Sequence, residues 1–194
     1  MGKSRVDRLI QAHPELEVEW KGFEIHPETP ADGSARRSMP PERQKAADDH
    51  IAAMAAEAGV EMSRPDFRTN SHLALVADAF ARDHGQVNPF HENILHAYWT
   101  EHRNIGLQEV VLDVAAASGL DAQELRAAME DGRYEAELAE VYDECNRYGI
   151  NGVPTFLVGR YMVVGAQPYD VLERALTLAR EDETPTEAPD GAVR

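Results

Sequence analysis

Residues 150–165 read INGVPTFLVGRYMVVG. Two runs of strand formers, TFLV and YMVV, are separated by Gly159 and Arg160, and a two-residue gap between such runs predicts a β-hairpin. Proline stands directly before the first run. With no N–H to give a ladder, Pro154 belongs at the first residue of a strand, at an edge or at a bulge, and so marks where the hairpin begins. Downstream, Gln167 precedes Pro168 at a helix-starting position, and Val171, Leu172, Ala175 and Ala179 share one face of a final amphipathic helix.

Upstream of the hairpin the pattern is helical for about a hundred residues. Ala47, Ile51, Met54 and Ala58 form one apolar stripe, Leu73, Val76, Ala77 and Phe80 a second, and Val110, Val111 and Val114 a third. Between the last two, PFHENILHAYWTEH reads as a helix starting near Pro89. In LDAQEL, Asp121 can cap a helix N-terminus, Glu124 can reach back, and Leu120 can staple against Leu125; Gly132 closes that short helix. Leu138, Val141, Tyr142 and Cys145 make the stripe of the next, which Gly149 ends. At the N-terminus, Val6, Leu9 and Ile10 place a helix in the first dozen residues. Leu16, Val18 and Trp20 then alternate with glutamates as in a half-buried strand, and the apolar parity shifts to Phe23 and Ile25 after Gly22, predicting a bulge or bend there. The stretch HPETPADGSARRSMPPE reads as a loop. The order is helix, strand, helical block, strand, strand, helix.

Composition narrows the partners. Against 35 Asp+Glu stand 19 Lys+Arg, a formal charge of -16 that disfavours broad contact with nucleic acid or anionic membranes. No stretch of about 18 apolar residues occurs and the start, MGKSRVDRLI, lacks a signal-peptide core, so the expected location is the cytoplasm. One cysteine, Cys145, excludes a disulfide within the chain and a cysteine-based metal site. His91, His96 and His102 do not make a metal site by spacing, because the aligned pair His91 and His102 would lie about 16 Å apart along a helix. No metal or cofactor is expected. Tyr98 and Trp99 read as core or cleft lining, and the acidic tail EDETPTEAPDGAVR as disordered.

The segments WKGFEIHPETPADG, TNSHLALVADAFARDHG, FHENILHAYWTEHRNIGLQEVVLDVAAASGLD and YGINGVPTFLVGRYMVVGAQPYDVLERAL together resemble the DsbA-family thioredoxin-like oxidoreductases of the FrnE type. GVPTFLV followed by GAQP carries the most specific part of the likeness. It implies an α/β, DsbA-like thioredoxin fold with a large all-helical insertion. Residues 1–41 would be its N-terminal part, 42–148 the insertion, 149–181 the C-terminal part, and 182–194 the tail. Family members begin with a strand running into Cys-Pro-x-Cys and then Gly-Lys or Gly-Arg. This chain begins Met1-Gly2-Lys3, so the first strand is missing and the cysteine pair would precede Met1; a truncated gene reading is the expectation.

The same resemblance implies a substrate site at Val153, Pro154 and Thr155. In that family the equivalent proline is cis and faces the cysteine pair, so Val153 would offer its N–H and C=O to an extended substrate segment. The implied function is thiol–disulfide exchange on protein or small-thiol disulfides, with a homodimer left open. Two alternatives stand beside it: a non-catalytic peptide-binding module, and a glutathione-dependent isomerase or transferase of the hydroxychromene-carboxylate isomerase type, which uses serine in place of the first cysteine. No residue within the chain is assigned a catalytic role. Ser4 lacks an identifiable base, and Cys145, on an apolar stripe, reads as a buried structural thiol.

Overall fold

The structure is a computed structural model that describes residues 1–36 and 38–183. Its elements run α1 (Gly2–Ala12), β1 (Ser34–Ala35), α2 (Pro41–Glu57), β2 (Phe67–Arg68), α3 (His72–Asp83), α4 (Val87–Trp99), α5 (Gln108–Ala117), α6 (Ala122–Glu130), α7 (Glu135–Tyr148), β3 (Thr155–Val158), β4 (Tyr161–Val164) and α8 (Tyr169–Glu183). They belong to two compact units, one made of Met1–Glu17 with the chain from Gly152 onward, the other of Val18–Asn151. Residues 18–41, read from the sequence with the N-terminal part, thus pack with the helices. Among the described residues no helix is long and apolar enough to cross a membrane.

In the first unit β3 and β4 form an antiparallel hairpin in which Phe156 faces Val163 and Val158 faces Tyr161. Gly159 has φ of 56° while Arg160 is not among the positive-φ residues, the sign pattern of a type II′ turn. Alternation decides which face is buried. Phe156, Val158, Tyr161 and Val163 pack with Leu9 and Leu16 from the N-terminal segment and with Leu172, Ala175 and Leu176 of α8. Leu157, Met162 and Val164 stay exposed on the other face. Helix α8 continues through Asp182, which the sequence reading had placed in a disordered tail. Arg160 donates to its carboxylate at 2.7 Å, adding a tie in the last turn. Residues 184–194 of that tail lie outside the described residues.

The second unit is a helical cluster built on α3 to α6, with Phe80, Phe90, Val111 and Leu125 fully buried at its centre. Asp121 accepts hydrogen bonds from the Gln123 and Glu124 amides, the cap its position demands. Leu120 and Leu125 are both buried beside it. Gly149 closes α7 at φ 69°, a left-handed conformation that glycine adopts without steric cost.

The strand expected around residues 16–25 is not one. Residues 18–25 are unladdered, since no strand among the described residues pairs with them. A strand is defined by a neighbour's backbone, and side chains replace it here. Trp20 lies on the His91 ring at 5.2 Å, Lys21 donates to Glu144 at 2.6 Å, and Phe23 stacks on Tyr142 at 6.1 Å. Gly22 is therefore no bulge; a Cβ there would come 2.8 Å from Leu75 Cδ2, so glycine lets the segment lie close on α3. The loop at 26–40 in turn contains an unexpected two-residue strand, β1, paired with β2.

Candidate functional site

The site grows out of the hairpin's first residues and the start of α1, both in the first unit. The Val153–Pro154 peptide bond is cis. Pro154 C=O accepts from the Gly165 amide at 2.8 Å, which extends the ladder by one pair beyond Thr155 and Val164. A residue whose carbonyl faces β4 leaves its neighbours facing the other way. Accordingly, among the described residues neither the N–H nor the C=O of Val153 has a partner, and the residue is 55% exposed. Thr155 is held differently, its hydroxyl donating to the Gly152 carbonyl at 2.8 Å and tightening the turn before the strand.

Against the other side of Pro154 sits the first turn of α1. A Cβ on Gly2 would fall 2.9 Å from Pro154 Cγ and 3.5 Å from Phe156 Cζ, so the helix start and the proline ring are in direct contact only because residue 2 has no side chain. Arg5, one turn on and only 7% exposed, donates to the Ala166 carbonyl. The Gly165–Ala166 corner thus holds Pro154 by one amide and α1 by one guanidinium. A buried guanidinium and the N-terminal end of a helix both favour negative charge nearby. Burial accordingly holds the Met1 amino group below its ordinary pKa, with the Arg5 charge acting in the same direction.

Val153, Pro154 and Thr155, consecutive in the chain, lie at the entry to β3. Ser4 lies in the first turn of α1, half-buried. Cys145 belongs to the helical unit, on the buried face of α7; burial pushes its thiol above the ordinary cysteine range, and the Glu144 charge adds to the shift. His91, His96 and His102 each have a separate partner, Asp78 at 3.0 Å, Glu101 at 3.5 Å and Ser63 at 2.8 Å. Tyr98 lies edge-on to both Phe67 and Trp99, at 6.1 and 4.9 Å, as an aromatic cluster.

Two contacts were not foreseen. The resemblance matched Gly2 to the Gly-Lys step after the family's cysteine motif without reading its packing on Pro154, and Arg5 was given no role; their partners stand more than a hundred residues on, and no local pattern announces such a pair.

Known proteins place these features in a family context. A profile of the DSBA-like thioredoxin domain matches residues 1–177. The protein YwbO of Bacillus subtilis (strain 168) is 27% identical over 183 residues, covering 91% of this chain and 88% of that protein. Among solved structures, a probable DsbA oxidoreductase from Streptomyces coelicolor superimposes with a TM-score of 0.86 at 28% identity, over 100% of this chain and 92% of the other. A 2-hydroxychromene-2-carboxylate isomerase superimposes with a TM-score of 0.71 at 19% identity, over 93% and 90% of the two chains, a likeness of fold.

Proposed function

This chain belongs to the DSBA-like thioredoxin domain family, and on that premise we propose that it serves thiol–disulfide exchange, with Val153 and Pro154 forming the wall that holds an extended substrate segment. The observation that carries the reading is that, among the described residues, the N–H and C=O of Val153 have no partner where Pro154 packs on the start of α1. A single residue with both backbone groups exposed can exchange two hydrogen bonds with one residue of an extended chain, as in an antiparallel pair. The partner it fits is a polypeptide in extended conformation, and substrate binding is assigned to Val153, Pro154 and Thr155.

The chemistry of exchange needs a thiolate. Its sulfur attacks one sulfur of the substrate disulfide, the S–S bond breaks, and the other sulfur leaves as thiolate. The 194 residues offer only Cys145, whose raised pKa disfavours the reactive form. What these residues contribute is therefore the substrate wall and the electropositive start of α1, and the attacking thiolate is not among their groups.

Binding tests the wall. A fluorescently labelled, reduced and carboxymethylated unfolded polypeptide should bind the chain, and Val153→Pro, which removes the N–H donor, should weaken binding about three- to tenfold, the worth of one backbone hydrogen bond. Unchanged affinity in that variant would remove Val153 from the site. The isomerase-type reading rests on the shared fold alone. It requires instead that glutathione bind the chain, and that unfolded polypeptide not compete with it.

A further inference from the structure

His72 opens α3 between two carboxylates from different segments. Its Nε2 lies 2.9 Å from Glu135 Oε1 at the start of α7, and its Nδ1 lies 3.5 Å from Glu24 Oε1 in the unladdered stretch 18–25. Carboxylates only accept hydrogen bonds, while a neutral imidazole has a single N–H to give. Both contacts are met together only by the doubly protonated ring. Loss of one proton leaves a ring nitrogen lone pair facing a carboxylate, and the more distant partner, Glu24, is the one given up.

The surrounding charges are engaged elsewhere. On α3, Asp78 faces His91, Arg82 holds Glu137 through both of its terminal nitrogens at 2.7 Å, and Asp83 accepts from the Tyr134 hydroxyl. On α7, Glu144 faces Lys21, which also lies 3.8 Å from Glu19. Glu24 and Glu135 are left as the charges that face His72. Half-burial of the ring works against the imidazolium, but the hydrogen bond and charge of Glu135, with the charge of Glu24, outweigh it and hold His72 above the ordinary histidine range.

We propose that His72 is a proton-controlled latch for residues 18–25: protonated, it ties Glu24 to Glu135 and so fastens the segment on α3 and α7; neutral, it keeps Glu135 and releases Glu24. The stretch is suited to such control because it has no ladder, so its hold on the helices is a few side-chain contacts, of which this one alone pairs two carboxylates with a single histidine. Because the folded pKa is raised, the stabilisation is fully present below the ordinary histidine value of about 6.5 and is lost as pH rises through the folded value.

Cleavage of the full chain within residues 18–25 by proteinase K at pH 5.5, 7.0 and 8.5, corrected by the rate on a free peptide of the same sequence, reads the latch directly. That cleavage should rise about two- to fivefold across this range, the size expected of a half-exposed ion pair, while cleavage within α5 stays level. His72→Gln and Glu24→Gln should each flatten the profile, and both keep a polar side chain at a half-buried position. His26, 3.1 Å from Glu28 and next to the segment, is the internal control. A flat wild-type profile, an unchanged one in Glu24→Gln, or one abolished by His26→Gln in place of His72→Gln would overturn the proposal.

Discussion

Two residue pairs separated by most of the chain build the proposed substrate wall, Gly2 against Pro154 and Arg5 against Ala166. Neither is visible in local sequence. Pro154 could be recognised as the start of a strand because a proline's missing N–H restricts where it can stand, and the role proposed for Val153 comes from family resemblance. That the Val153 backbone groups have no partner among the described residues is a property of ladder parity, which the Gly165 to Pro154 hydrogen bond sets. Cys145 was legible outright, since its i, i+3, i+4, i+7 companions place it on a buried face. Its thiol, raised by burial, should be alkylated by iodoacetamide at pH 8 at least about tenfold more slowly in the native chain than in denaturant. Equal rates would mean a reactive, accessible thiol. Insulin reduction by the chain should likewise be no faster than by Cys145→Ser.

At the scale of elements, helices were read well and the first strand was not. A helix satisfies its own backbone, so its apolar stripe and caps are local facts, as the Asp121 cap of α6 shows. The hydrogen bonds from the Glu124 and Gln123 amides hold the Asp121 carboxyl below its ordinary pKa. Such a group stabilises the fold above its unfolded pKa of about 3.9 and ceases to do so as pH falls through the folded value. Asp121→Ala should therefore lower the urea midpoint at pH 7 and lose that effect on acidification towards pH 2.5, and an effect persisting there would assign the loss to packing. Strands depend on a partner, and the alternation of Leu16, Val18 and Trp20 cannot say whether one exists. Leu16 packs partly buried with α8 and the hairpin and Trp20 reaches His91, but Val18 between them is 39% exposed, so without a ladder the alternation does not hold one face buried. The hairpin needed no such inference, because its turn residues and both strands lie within sixteen residues of sequence.

The whole molecule divides its stability between two cores, and the division is discontinuous in sequence. The helical core was foreseeable from stacked apolar stripes, whereas the first unit joins the two ends of the chain, a closure that only the family resemblance implied. Leu172, 1% exposed, anchors the first core, and Leu172→Ala should cost about 2–5 kcal/mol through lost contact and cavity. Urea unfolding monitored by hydrogen exchange in β3 and β4 checks it, and a cost below the lower figure would mean that the hairpin and α1 close over the gap. The loss of that core should also abolish peptide binding, because Pro154 is held between its hairpin and its first helix.

The measurement closest to the central claim is a backbone amide NMR titration of the full chain with an unfolded, cysteine-free polypeptide. The substrate-wall account predicts that the largest shifts fall on Val153, Thr155 and the first turn of α1, with the α3 to α6 core unmoved. Shifts centred on the helical core, or none at Val153 under saturating polypeptide, would contradict it.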